Sequence, residues 1–156
     1  SNIDYLIQLG DVYFENSDMQ KSRDVYSKAK TIDTSNTKAD EGLLAVNLLE
    51  GNLKASTDFT KNNASFDLAR FCNTRAISLT ANKKFGQAEK LYTNTIEIMG
   101  SSSDVYKVLF NLGLCMKKSG QIQMALKYFV QCQDSAPQTF IRAKEQIAYL
   151  QKQKSA

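Results

Sequence analysis

A small residue followed four positions later by an aromatic one recurs along this chain at nearly constant intervals. The clearest pairs are Ser22 with Tyr26, Ala88 with Tyr92, and Ala125 with Phe129. A further copy contains Ser56, although its aromatic residue is displaced to Phe59. Successive small residues are 34, 32 and 37 positions apart. A period in this range is typical of folds built from one repeated supersecondary unit.

Each copy predicts two antiparallel helices joined by a short turn. In the first helix of the last copy, apolar residues recur at three- and four-residue intervals, at Leu109, Leu112 and Met116. This spacing is the helical period. Gly113, in the same helix, permits a close contact between helices. Gly120 then predicts the tight turn that joins the two helices.

The second helix of the last copy contains the small and aromatic pair. Ala125 allows the paired helices to approach closely, and Phe129, one turn later, fills the space beside it. Pro137 ends this helix, because proline cannot continue one. Starts of first helices are predicted at polar residues, namely Asn2 or Asp4, Ser35 to Thr37, Ser65, and Ser103-Asp104.

This pattern resembles the tetratricopeptide repeat, a helix pair of about 34 residues. The match in the last copy comprises Leu112, Gly113, Met116, Gly120, Ala125, Phe129 and Pro137. In the first copy it comprises Leu9, Gly10, Tyr13, Tyr26 and Ala29. The two middle copies are degenerate, and an unrelated helical bundle is the alternative. The resemblance implies an all-α fold with nine helices in a right-handed α-solenoid.

We expect a single domain over residues 1–156, excised from a longer protein because the chain begins with Ser. The predicted repeats are 3–36, 37–68, 69–102 and 106–139. A capping helix is predicted at about 138–153, with its apolar side formed by Phe140, Ile141, Ala148, Tyr149 and Leu150. Such a helix covers the last apolar face of a repeat stack.

The composition argues against an enzyme, a metal site or a cofactor. The chain has no His, which removes the commonest general base and zinc ligand. No glycine-rich phosphate-binding motif is present. The three cysteines, Cys72, Cys115 and Cys132, are scattered, and we expect them in the core of a cytoplasmic protein. No stretch is apolar and long enough for membrane insertion.

Charge is distributed unevenly along the chain. Residues 1–68 carry 7 Lys and Arg against 11 Asp and Glu, whereas residues 69–156 carry 13 against 5. A basic half raises nucleic acid or an acidic lipid surface as partners. However, Lys83-Lys84 and Lys117-Lys118 lie at turns, and no Arg-rich run or interleaved aromatic pattern is present. We therefore expect a solvated basic surface and no nucleic-acid partner.

The resemblance also implies a concave groove, lined by the first helix of each repeat, in which a peptide or helix of a partner protein lies. The corresponding positions are Ile7, Asp11, Phe14, Glu41, Ala45, Leu48, Arg70, Asn73, Ile77, Lys107, Phe110, Leu114 and Lys117. Phe14 and Phe110 are expected to be exposed there. The alternative is that the groove is filled by the chain itself.

Two functions follow from this interpretation. The first is a non-enzymatic protein-interaction scaffold. Residues 70–92 and 108–129 also resemble the C-terminal repeat regions of bacterial response regulators, which implies a docking module in signalling. The second is a homodimer or homo-oligomerisation module of a secretion, pilus or outer-membrane assembly protein.

Overall fold

The computed structural model describes residues 2–155, and all the regular structure in that range is helical. The nine helices there are α1 (Asn2–Glu15), α2 (Met19–Ile32), α3 (Thr37–Glu50), α4 (Leu53–Asn62), α5 (Leu68–Ala81), α6 (Phe85–Met99), α7 (Val105–Lys118), α8 (Ile122–Ser135) and α9 (Arg142–Lys154). The all-α prediction is confirmed. The chain divides into two compact units, Ser1–Ala64 with α1 to α4 and Ser65–Ala156 with α5 to α9.

The N-terminal unit is organised around the ring of Tyr26, which is fully buried. Gly10 of α1 and Gly42 of α3 both face this ring. A methyl group on Gly10 would lie 2.5 Å from Tyr26 Cε1, and one on Gly42 would overlap the same ring atoms. Only glycine leaves enough space at these two positions. The ring therefore fixes the separation of α2 from both α1 and α3.

Polar contacts fix the same helix pair. The Tyr26 hydroxyl donates a hydrogen bond to Asp11 Oδ1 at 2.6 Å. The hydroxyl of Ser22, one turn earlier on α2, donates to the Gly10 carbonyl oxygen at 2.9 Å. Ser22 is buried, and its small side chain brings the two backbones close enough for this bond. The small residue and the aromatic residue of the sequence repeat thus both contact α1.

The C-terminal unit repeats this arrangement in α7 and α8. A methyl group on Gly113 would lie 2.5 Å from Phe129 Cε1, and both Ala125 and Phe129 are fully buried. The predicted roles of these three residues are confirmed. In the preceding pair, α5 and α6, Ala88 is fully buried and Tyr92 nearly so.

The turn and helix end in the last repeat also lie where the sequence predicts them. Gly120 has a φ of 82°, a left-handed conformation that favours glycine. The amide of Gln121 donates to the Met116 carbonyl at 2.9 Å, which closes the turn after α7. Helix α8 ends at Ser135, two residues before Pro137.

The predicted starts of α1, α3 and α7 agree with the structure, whereas that of α5 does not. Asn36 caps α3 by accepting a hydrogen bond from the Ala39 amide. The cap of α5 is Asp67, which accepts from the Arg70 amide, so the predicted start at Ser65 is wrong. Asp67 is preferred because its carboxylate reaches the amide three residues later.

Helix α9 differs from the predicted capping helix. It begins at Arg142, so Phe140 lies before the helix, where its ring packs against those of Tyr106 and Phe110. Its buried residues are Ala143 and Leu150. The residues Ile141, Ala148 and Tyr149 are exposed, which corrects the predicted apolar side. Positions 148, 149 and 150 are consecutive, and consecutive residues diverge around a helix, so only one of them can face the core.

All three cysteines are buried and free. Burial raises the pKa of Cys72 to about 12 and that of Cys132 to about 11. The Cys72 thiol donates to the Leu91 carbonyl oxygen at 3.7 Å. These thiols therefore stay protonated at neutral pH and pack as core residues, as the sequence predicts.

Candidate functional site

Several residues predicted to line a groove are buried. In the N-terminal unit these are Ile7, Phe14, Ala45 and Leu48, and in the C-terminal unit Phe110. The expectation that Phe14 and Phe110 are exposed is wrong, since their exposed fractions are 0 % and 3 %. Phe14 follows Gly10 by four residues on α1 and so shares its inward side, toward α2 and α3.

Phe110 is enclosed by aromatic and cationic neighbours. Its ring centroid lies 5.6 Å from that of Phe129 and 5.3 Å from that of Phe140. The guanidinium of Arg142 lies 4.5 Å from the ring centroid. Phe140 and Arg142 come from the segment after the last repeat. That segment covers Phe110 and removes it from any surface a partner could reach.

Four other predicted residues already have partners within their own units. Asp11 accepts from Tyr26, and the Asn73 Nδ2 donates to the Lys107 carbonyl oxygen at 3.3 Å. The Lys107 ammonium pairs with Asp104 at 2.7 Å. Lys117 donates to Gln146 Oε1 at 2.9 Å and lies over the ring of Tyr149. These side chains hold helices together or stabilise helix ends.

The remaining predicted residues reach solvent. In the N-terminal unit, Glu41 is half-buried. In the C-terminal unit, Arg70 is exposed, Leu114 is half-buried, and Ile77 has an exposed fraction of 50 %. Ile77 is one of the few large apolar side chains this exposed. The structure thus brings two predicted residues, Ile77 and Leu114, together at an accessible surface.

Ile77 and Leu114 lie at the mouth of a partly open cavity of about 150 Å³ in the C-terminal unit. Its lining comes from three helices, and the full set is Ile77, Thr80, Tyr92, Asn111, Leu114, Cys115 and Lys118. Tyr92 and Cys115 are almost completely buried and form its floor. Asn111 and Lys118 are more accessible and form its rim. We call this feature the α5–α7 cavity.

The floor of the α5–α7 cavity is electrically neutral. Burial raises the pKa of the Cys115 thiol, and it also raises the pKa of the Tyr92 hydroxyl. Both groups therefore remain protonated at neutral pH. The Thr80 hydroxyl donates to the Ala76 carbonyl oxygen of its own helix at 2.8 Å. An apolar group entering the cavity would meet no buried charge.

The sequence analysis missed Asn111 and Lys118, although their spacing could have identified them. Residues 107, 111, 114 and 118 follow the three- and four-residue period and share one side of α7. The prediction used 107, 110, 114 and 117 instead. That choice includes Phe110, which faces the core, and Lys117, which contacts α9.

Two further features of residues 2–155 bear on function. No helix in this range combines the length and apolarity needed to cross a membrane. Nor does this part of the chain bring together three or more side chains of the types that bind metals.

Comparison with known proteins agrees with the geometry of the repeats. No curated protein matches the chain significantly in sequence. A structure described as a functional characterisation of PilF from Pseudomonas aeruginosa is 21 % identical, with a TM-score of 0.53. The match covers 99 % of this chain and 69 % of the PilF chain. A crystal structure of MamA is 19 % identical, also with a TM-score of 0.53, over 94 % of this chain and 84 % of its own.

These identities are low, so the two structures support the fold alone. The family model for the tetratricopeptide repeat matches residues 3–36 and 106–139. These are the bounds predicted for the first and fourth repeats. Gly10 and Tyr26 lie in the first segment, and Gly113 and Phe129 lie in the second. The two matched segments therefore resemble tetratricopeptide repeats, and one segment lies in each of the two compact units.

Proposed function

We propose that this chain is a non-enzymatic scaffold that binds a peptide or helix of a partner protein. The observation that carries the proposal is the α5–α7 cavity, where half-exposed Ile77 stands beside an open space of about 150 Å³. Binding pockets are concave, mostly apolar, and edged by a few polar groups. The cavity has this character. Tetratricopeptide repeats are, in addition, a fold suited to protein interaction.

The chemistry of the cavity favours binding over catalysis. Its titratable floor groups stay neutral, and the chain supplies no histidine as a general base. The ring of Phe140 packs against the rings of Tyr106 and Phe110. Rings packed in this way offer no stacking platform for bases, which favours a protein partner over nucleic acid.

The same proposal places the scaffold in the bacterial cytoplasm as a docking module of a signalling protein. This part rests on the resemblance of the last two repeats to the repeat regions of response regulators. Identification of the bound partner tests it directly. Recovery of a two-component signalling protein supports this setting, whereas recovery of only secretion or envelope-assembly proteins refutes it.

The binding function itself is tested by affinity capture from a lysate of the source cell. Wild-type protein is compared with Ile77→Glu, which puts a charge at the mouth of the cavity. Val130→Glu is the matched control, because Val130 is exposed on α8 outside the cavity. Circular dichroism verifies that all three proteins fold. We expect Ile77→Glu alone to lose the partner. Recovery of the same partner by all three proteins contradicts the cavity as the binding site, and recovery of no partner contradicts the scaffold function.

A second candidate function is self-association through α1. Tyr5 and Val12 have exposed fractions of 61 % and 52 %, and their seven-residue spacing puts them on one side of the helix. Two such exposed apolar residues favour contact with another molecule. Light scattering over a range of concentrations tests this function. A dimer that the double change Tyr5→Ser and Val12→Ser dissociates supports it, and a monomer at all concentrations refutes it.

A further inference from the structure

The size of the α5–α7 cavity sets what it can hold. A cavity of about 150 Å³ whose floor and walls include Ile77, Leu114 and Tyr92 has the volume that a benzene-sized group needs. One leucine, isoleucine or methionine side chain has a comparable size. Ile77 and Leu114 supply the apolar walls, and Tyr92 closes the floor. The cavity is therefore suited to one bulky side chain from a bound segment and is too small for several.

The charge around the cavity selects the character of that segment. Lys118 is exposed at the rim, and within residues 2–155 it forms no ion pair. Arg70, near the start of α5, lies outside the cavity lining but is also exposed and forms no ion pair in that range. On α6, the Glu89 carboxylate adds to the effect of burial in raising the pKa of the Cys115 thiol, so one negative charge lies near the cavity floor. Residues 65–156 carry 13 Lys and Arg against six Asp and Glu, so this unit attracts acidic segments.

Asn111 offers a hydrogen-bond acceptor beside the cavity. Its Nδ2 donates to the Lys107 carbonyl oxygen at 3.2 Å, one turn earlier on α7. This bond fixes the orientation of the side-chain amide. The Oδ1 then accepts no hydrogen bond from the described part of the chain. A backbone N–H of a segment lying across α7 can donate to it.

From these three features we infer a specific occupant for the site, an inference that rests on the scaffold function proposed above. The α5–α7 cavity anchors one leucine-, isoleucine- or methionine-sized side chain of an acidic segment in a partner protein. A carboxylate of that segment pairs with Lys118. A backbone N–H next to the anchor residue donates to Asn111 Oδ1.

The test begins with a displayed library of random 16-residue peptides, selected against the immobilised full chain. Enriched peptides are synthesised with a fluorescent label, and their dissociation constants are measured by anisotropy. We expect a shared aliphatic residue with Asp or Glu within a few positions. Enriched peptides that are basic, or that lack an aliphatic residue, overturn the inference.

Two variants then probe the anchor and the charge separately. Ile77→Ser removes an apolar wall and is expected to weaken binding by at least about tenfold, as loss of a methylene-sized contact does in a pocket. Val130→Ser is its control. Lys118→Glu should weaken binding by roughly fivefold or more at low salt, and Lys144→Glu, an exposed change on α9, should have little effect.

A charge exchange adds a readout that a purely structural effect would not produce. Replacing the acidic peptide residue with Lys should restore binding to Lys118→Glu while weakening binding to wild type, which is the signature of a direct pair. Replacing the aliphatic anchor with Ala should weaken wild-type binding but have little further effect in Ile77→Ser. Absence of both couplings overturns the inference.

The remaining outcomes separate this inference from the scaffold function. If no peptide is enriched, or if binding is insensitive to Ile77→Ser, the anchor assignment fails. Affinity capture with the wild-type chain then decides independently whether the chain is a scaffold. If light scattering shows a dimer that Ile77→Ser dissociates, the occupant is a second copy of this chain, and the acidic-partner inference is wrong.

Discussion

Replacing Gly113 with Ala adds a methyl group where α7 meets the ring of Phe129. The methyl carbon would lie 2.5 Å from Cε1 and 2.6 Å from Cδ1 of that ring, distances that Cβ atoms essentially never adopt. The ring cannot retreat easily, because Phe129 is fully buried and also contacts Phe110. The helices must therefore separate, or the ring must leave its rotamer.

Two opposing effects set the magnitude of this change. Overpacking of a filled core lowers the unfolding free energy by about 1–3 kcal/mol. The added methyl group would overlap two atoms of a ring that cannot move easily, so we expect a cost at the upper end, about 3 kcal/mol. Alanine in a helix interior is favoured over glycine by about 1 kcal/mol. The net loss of unfolding free energy is then about 2 kcal/mol. For a chain of this size, the melting temperature should fall by roughly 4–8 °C.

Thermal and urea unfolding followed by circular dichroism measure the effect. The matched control is Gly86→Ala near the start of α6, where no atom lies within 4 Å of the added methyl group. Gly86→Ala should be neutral or stabilising, by up to about 1 kcal/mol. The double variant Gly113→Ala with Phe129→Leu should lose less unfolding free energy than the two single variants lose in sum. The reasoning is refuted if Gly113→Ala stabilises the protein as Gly86→Ala does.

Further changes test the packing and the buried groups. Phe110→Ala should reduce the unfolding free energy by about 3–5 kcal/mol, measured by urea unfolding, because it empties an enclosed aromatic site. Tyr26→Phe should cost about 1–2 kcal/mol in the same assay, because the hydroxyl loses its bond to Asp11. The stability contributed by the neutral Cys72 thiol is complete below pH 9.0 and is lost as the pH rises towards about 12. Urea midpoints measured from pH 8 to 11 should therefore fall more steeply in wild type than in Cys72→Ala, and equal slopes would contradict this account.

The repeat could be predicted from sequence because its determinants are local and periodic. Gly113 and Phe129 are recognisable by their identity and spacing, and they face each other in the structure. Glycine and proline mark helix ends through their own backbone geometry, as at Gly120 and Pro137. These signals do not depend on distant parts of the chain.

The accessible face of α7 could not be predicted in the same way. Positions 110 and 111 are adjacent in sequence but lie about 100° apart around the helix. Whether Phe110 is exposed depends on Phe140 and Arg142, which belong to another segment. The family pattern of groove positions contains no information about that segment, so transferring the pattern to this sequence could not account for it. The pattern therefore assigned Phe110 to a partner surface and omitted Asn111.

The position of Tyr26 between Gly10 and Gly42 has a consequence for how the N-terminal unit responds to change. The Tyr26 ring of α2 sets the distance to α1 and also the distance to α3. A residue bulkier than Gly42 in α3 would push against this ring and so disturb its contact with α1 as well. Disorder at α3 should therefore spread to the first helix pair rather than stop at the boundary between repeats. Gly42 belongs to the second predicted repeat, but the ring that fills the space beside it belongs to the first. The residues that α3 can accommodate at this position therefore depend on a side chain of α2.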